Sequence, residues 1–147
     1  MVSRKLELPV QTMDGLTDIN FGEWEGKTLD QVKEQYPELY TAWMTNPADL
    51  LLPGGETLTR ARNRMMASLE KMVISYPDLS GVVVTHRVLC KLALLVAVGS
   101  SESNFWKVHQ DLGCLNLLEW EDNHWAVRFM NLTSHLKDDG SHLKMDF

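Results

Sequence analysis

A short apolar run, Gly81-Val82-Val83-Val84-Thr85, leads directly into His86 and Arg87. A second apolar stretch follows from about Val88 to Val98 and stops at Gly99. Adjacent β-branched residues are stiff at χ1 and favour extended backbone. A run with no polar alternation predicts a short strand covered on both faces. The stretch after it predicts a helix, with Gly99 as its C-terminal stop. A strand-loop-helix unit puts the residues at the strand's carboxyl end into a ligand crevice. His86 occupies that position, beside helix amides that attract anions. This unit sets the class as α/β.

The remaining elements fit around it. Leu6 to Val10 alternates weakly and predicts a short edge strand, since Pro9 excludes a central one. Asp14-Gly15 marks a turn. Thr28, with Gln31 three residues on, has capping-box spacing and opens a helix carrying Leu29, Val32, Tyr36, Leu39, Tyr40 and Trp43. Pro37 divides it in two, and Asn46-Pro47 ends it. Thr57 is placed to cap a further helix, whose apolar face is Leu58, Ala61, Met65, Leu69, Met72 and Val73. Tyr76-Pro77-Asp78 closes that helix. Asn104 to His109 predicts one more short helix. Cys114–Trp120 and Trp125–Met130 are strand-like, and Glu121 to His124 between them has hairpin length and turn composition. From Lys137 onward the chain is polar.

A chain of 147 residues fits one domain. The net charge of −6 argues against nucleic acid and anionic membranes as partners, since both call for a basic surface. It also means that any phosphate site needs its own local positive field. The longest apolar run, Leu92 to Val98, is too short to span a bilayer. Met1 to Lys5 leads into no long apolar stretch, so no secretory signal is expected and a cytoplasmic protein is. Cys90 and Cys114 are expected as buried free thiols. His109, His124, His135 and His142 lack metal-ligand spacing, and neither a metal nor a cofactor is expected.

Four strings fall in a fixed order: Phe21-Gly22-Glu23-Trp24-Glu25-Gly26, Pro53-Gly54-Gly55-Glu56-Thr57, Val82-Val83-Val84-Thr85-His86-Arg87, and Asn131-Leu132-Thr133-Ser134-His135-Leu136. Together they resemble the histidine phosphatase superfamily, which includes the cofactor-dependent phosphoglycerate mutases. The nearest likeness is to the alpha-ribazole phosphatase and broad-specificity phosphatase branch. The resemblance implies a phosphoglycerate mutase-like three-layer α/β sandwich with a mixed sheet and a C-terminal antiparallel hairpin. It implies that His86 binds the transferring phosphoryl group of a phosphate monoester. Asp18 stands near the position of a glutamate that often donates the proton to the leaving oxygen. Aspartate is one methylene shorter and must still come within hydrogen-bond range. Arg87 replaces the usual glycine after the histidine, where it would either block the pocket or add positive charge. Gly22 and Trp24 belong to a loop that shapes the pocket wall. Glu56 is expected to orient its loop or to pair with an arginine. Arg64 matches a later arginine of the family, and Arg60 stands where relatives usually have aspartate. His135 is read as structural.

The family's nucleophilic histidine sits in an Arg-His-Gly triplet on the first strand, and no such triplet occurs in these 147 residues. Nor does Ser-Pro-Leu-x-Arg-Ala, the segment with a second phosphate-binding arginine. Of the family's two central arginines and two central histidines, only His86 has a counterpart. The expectation is a truncated domain over residues 1–136 with a polar tail over 137–147. Alone it would be catalytically degenerate, with residual phosphate or anion binding near His86 and Arg87. The alternatives are half of a split or domain-swapped phosphatase, and an unrelated small α/β binding module. In relatives the missing first strand lies beside the one ending at His86. An apolar edge left without it invites a homodimer, a partner chain supplying the strand, or packing of the 114–130 hairpin against that edge.

Overall fold

The computed structural model describes residues 2–136; the expected polar tail lies outside the described residues. Helix α1 covers Val2–Leu6, α2 Leu29–Gln35, α3 Pro37–Thr45, α4 Leu58–Ser75 and α5 Arg87–Ala97. Three 3-10 turns, Asp14–Leu16, Gly22–Trp24 and Glu102–Lys107, lie between them. Strands β1 (Leu115–Glu121) and β2 (His124–Leu132) close the described chain as an antiparallel hairpin.

Local sequence chemistry accounts for most boundaries. Thr28 Oγ1 accepts from Gln31 N at 3.3 Å, and Gln31 Oε1 accepts from Thr28 N at 2.8 Å, so the capping box satisfies two amides that the helix itself cannot. Pro37 is the first residue of α3, where its missing N–H costs nothing. Thr57 caps α4 by accepting from Arg60 N at 3.2 Å. Gly99 ends α5 at φ +67°. Asp122 and Asn123 turn the hairpin at φ 47° and 61°, the paired left-handed geometry of a type I′ turn.

The core gathers Leu58, Ala61 and Met65 of α4 with Leu89, Leu92 and Leu95 of α5. Ile19, Trp24, Val32, Trp43, Leu52 and Phe105 complete it. Trp43 is its aromatic hub. The rings of Phe21, Trp24, Phe105 and Trp106 lie 5.8, 6.3, 5.6 and 5.9 Å from it, edge-on or tilted as ring quadrupoles prefer. Trp106 Nε1 donates to Trp43 O at 2.6 Å. The 21–24 turn, α3 and the 102–107 turn are thus joined through one side chain. Helix α5 packs between α4 and β2. Among the described residues no helix is long and apolar enough to cross a membrane.

Three expectations need correction. Gly81–Thr85 is not a covered strand. It runs outside regular structure, with Val82 and Val84 64% and 80% exposed. Apolar β-branched composition favours extension, but a strand exists through its ladder partner, and the sheet among the described residues consists of β1 and β2 alone. The hairpin half of the expected architecture is present; the mixed portion is not formed there. Leu6–Val10 is no edge strand either. Helix α1 runs through Leu6, Glu7 turns at φ 53°, and the segment after it pairs with no strand. Finally, Cys90 and Cys114 are free thiols but only half-buried.

Candidate active site

His86 is the N-cap residue of α5, in extended backbone at φ −113°, ψ 161°. Its side chain makes no cap hydrogen bond, which leaves the ring to face outward. Its Nδ1 lies 3.4 Å from Asp18 Oδ2. The two groups meet although 68 residues separate them in sequence, so the fold brings together the two catalytic candidates that the sequence offered. Both side chains are about half exposed, accessible to a ligand and screened by water. The separation is longer than an ordinary hydrogen bond, close enough for the carboxylate and the ring to face each other directly. Asp18 Oδ1 accepts from Ile19 N at 2.9 Å, which turns the other oxygen toward His86. Arg87 follows as the first residue of α5 and is half-buried, with its guanidinium Nε and Nη2 closed off from solvent.

Glu56 and Arg64 form the support beneath. Arg64 donates through Nη2 to Glu56 Oε1 at 2.6 Å and through Nε to Oε2 at 3.2 Å, a two-pronged pair of the kind guanidinium geometry favours. Glu56 Oε1 also accepts from Asn20 N at 2.9 Å, and Asn20 O accepts from Glu56 N at 2.9 Å. Burial alone would raise the Glu56 carboxyl. The hydrogen bonds from Arg64 and Asn20 N, with the charges of Arg64 and Arg60, outweigh it and hold the group below the usual carboxylate range. Glu56 is therefore ionised and occupied in holding the loop that leads from Asp18 to Gly22. Of the two roles the sequence left open, the carboxylate fills both.

Gly22 and Trp24 hold their turn by close packing. Gly22 has φ +58°, and a Cβ there would come within 2.1 Å of Pro53 O and 2.4 Å of Gly55 N. Two glycine-bearing loops interlock at van der Waals distance. Trp24 is buried and anchors the turn into the aromatic core. Cys90 lies one turn along α5 from His86. Burial pushes its thiol up to about 11, with Cys114 and Asp18 adding to the rise, and a protonated thiol is inert. His135 is structural, its Nε2 lying 3.0 Å from Gly113 O, and His109 pairs with Asp111 at 2.9 Å. His142 lies outside the described residues.

Two contacts had no sequence signal. Thr85 Oγ1 donates to Leu16 O at 2.7 Å, and Asn20 Oδ1 accepts from Gly22 N at 2.7 Å. Their sequence clue is only adjacency to His86 and to the Phe-Gly turn.

The family model described as histidine phosphatase superfamily (branch 1) matches residues 1–133. The chain belongs to the histidine phosphatase superfamily. It is 30% identical over 135 residues to the bifunctional protein Rv2228c of Mycobacterium tuberculosis, covering 91% of this chain and 37% of that protein. It is 27% identical over 135 residues to phosphoserine phosphatase 1 of Hydrogenobacter thermophilus, covering 92% of this chain and 64% of that one. The structure of YhfR from Bacillus stearothermophilus superposes with a TM-score of 0.87 at 20% identity, over 92% of this chain and 68% of YhfR. This histidine phosphatase domain therefore has the α/β phosphoglycerate mutase-like fold. It spans less than two thirds of the length of these two curated relatives.

Proposed function

We propose that His86, Asp18 and Arg87 form the phosphate-handling part of a histidine phosphatase site for a small phosphate monoester. We further propose that these 147 residues alone bind phosphate or a similar anion weakly without turning an ester over. The reading rests chiefly on one observation: His86, at the start of α5, meets Asp18 at 3.4 Å. A histidine beside a helix start suits an anionic phosphoryl group, and the carboxylic acid beside it can protonate a leaving oxygen. Arg87 supplies the local positive charge that a chain of net charge −6 otherwise lacks.

Hydrolysis through a phosphoenzyme requires a nucleophile that takes the phosphoryl group from the ester oxygen before water removes it. Among the described residues no histidine other than His86 stands at the site. Loss of one charge-stabilising donor alone typically costs ~10²–10³ in rate, and phosphoryl transfer depends almost wholly on such positioning and stabilisation. The chain alone is thus expected to be inactive.

A second reading, an enzyme half completed by another segment or chain, is favoured by the open, apolar Val82–Val84 run next to His86. Such a run seats an added strand, and a strand there would present its own residues to the site. The reading also puts the domain in the cytoplasm, in keeping with two free thiols.

The test is hydrolysis of p-nitrophenyl phosphate, and binding of inorganic phosphate followed by NMR, with His86→Ala as control. Expected are no turnover, and phosphate-dependent shifts that vanish in His86→Ala. Turnover that disappears in His86→Ala would overturn the claim of inactivity. Phosphate shifts that survive in His86→Ala would move the anion site elsewhere.

A further inference from the structure

Four successive backbone carbonyls, those of Gly15, Leu16, Thr17 and Asp18, each accept a hydrogen bond from a side chain of a distant element. Arg64 Nη1 donates to Gly15 O at 2.9 Å and Thr17 O at 2.8 Å, and Nη2 donates to Asp18 O at 2.7 Å. Thr85 Oγ1 takes the remaining one, Leu16 O, at 2.7 Å. Loop carbonyls ordinarily turn to water, and to hold four in a row against protein donors fixes the path of the chain. With its two bonds to Glu56, all five N–H donors of Arg64 are occupied by protein acceptors. The loop is also pressed onto α4: a Cβ at Gly15 would lie 2.0 Å from Ser68 Oγ and 2.5 Å from Arg64 O.

The grip ends on Asp18. Its carbonyl is held by Arg64, its Oδ1 by Ile19 N, and Oδ2 is what remains to face His86. The other tether, Thr85, is the residue immediately before His86. One hydroxyl therefore ties the backbone that carries the histidine to the loop that carries the carboxylate.

We infer that Arg64 and Thr85 are positioning residues that set the Asp18 carboxylate against the His86 ring, and that Arg64 is not a phosphate ligand. This rests on reading Asp18 and His86 as the phosphate site. An arginine with every donor engaged has nothing left to offer an anion. Lysine cannot reproduce the grip, because a single ammonium carries three donors in place of a planar fork of five. Functional groups must be held within roughly 0.5 Å of their working geometry, and the Arg64–Thr85 pair supplies that constraint here.

The test follows the ring ¹⁵N signals of His86 in the full chain at fixed pH. Asp18→Asn defines where those signals lie once the carboxylate is lost. Arg64→Lys and Thr85→Val are expected to shift them toward that position, and Thr85→Ser, which keeps the hydroxyl, to leave them at the wild-type position. In an Asp18→Asn background, Arg64→Lys is expected to shift them no further. A merely structural arginine would lower the melting temperature without moving the ring. Folded Arg64→Lys and Thr85→Val proteins with wild-type His86 signals would overturn the inference, as would an Asp18→Asn variant that leaves the ring unmoved. If Arg64→Lys does not fold, Thr85→Val decides, because it removes a single hydroxyl. Inorganic phosphate is titrated in parallel. Wild-type signals that ignore phosphate would sink the phosphate-site reading, while the ring signals would still decide whether Arg64 and Thr85 position Asp18.

Discussion

Two residues lock the loop that follows Asp18, and both are open to direct trial. Gly22 sits at φ +58° against Pro53 O, where any side chain meets both backbone strain and a clash. Left-handed backbone alone costs an L-residue roughly 1–2 kcal/mol, so Gly22→Ala should lower the urea midpoint by at least that equivalent. An unchanged midpoint would mean that the two loops part easily. Glu56 has its folded pKa held down by Arg64 and Asn20. Its contribution to stability is therefore full above the unfolded value of about 4.3 and fades as pH falls through the lower folded value. The melting temperature of the wild type should decline below about pH 4.3, and Glu56→Gln should show a flatter decline over that window. The pairing of Glu56 with an arginine was legible, because both lie within one loop-helix unit. The bond from Thr85 to Leu16 was not: it spans 69 residues and leaves no periodicity behind.

Among elements, those fixed by local chemistry were read well. Thr28, Pro37 and Thr57 set helix boundaries through caps and a missing donor, all effects that act within one turn. The hairpin was legible for the same reason, since Asp122 and Asn123 are residue types that tolerate left-handed backbone. Asn123→Gly should stabilise it further, by several tenths of a kcal/mol, because glycine adopts φ 61° at no steric cost. A thermal melt that falls instead would show the Asn123 side chain to be bonded in the turn. Gly81–Thr85 shows where such reading stops. Its valines encode extension, but pairing is a tertiary event, and no residue within the run specifies a neighbour.

For the whole molecule, the order of four motifs was enough to identify the superfamily, because each motif holds a loop against a partner loop at a set place in the fold. The meeting of Asp18 and His86 was not legible from spacing, since the loop before Asp18 packs on α4 and the helix that starts after His86 packs on α4 as well. The exposed Val82–Val84 run makes a claim at this scale. Open apolar edges associate, so the chain should show concentration-dependent self-association in sedimentation. Val84→Lys should weaken it and leave the melting temperature nearly unchanged, as an 80% exposed side chain adds little to the core. Identical sedimentation of the two proteins would exclude this edge as the contact.

The position of His86 between an unpaired run and a packed helix has a dynamic consequence. Helix α5 begins its hydrogen-bond ladder at His86 O, which accepts from Cys90 N at 3.0 Å, and its buried leucines give it the protection of the core. The three valines before it stand outside any ladder of the described residues. Amide deuteration should therefore change steeply across a few residues, fast through 82–84 and slow from Leu92 onward. The histidine stands at that step. A strand or chain that docks there will announce itself as newly slowed exchange just upstream of His86, with no need for turnover.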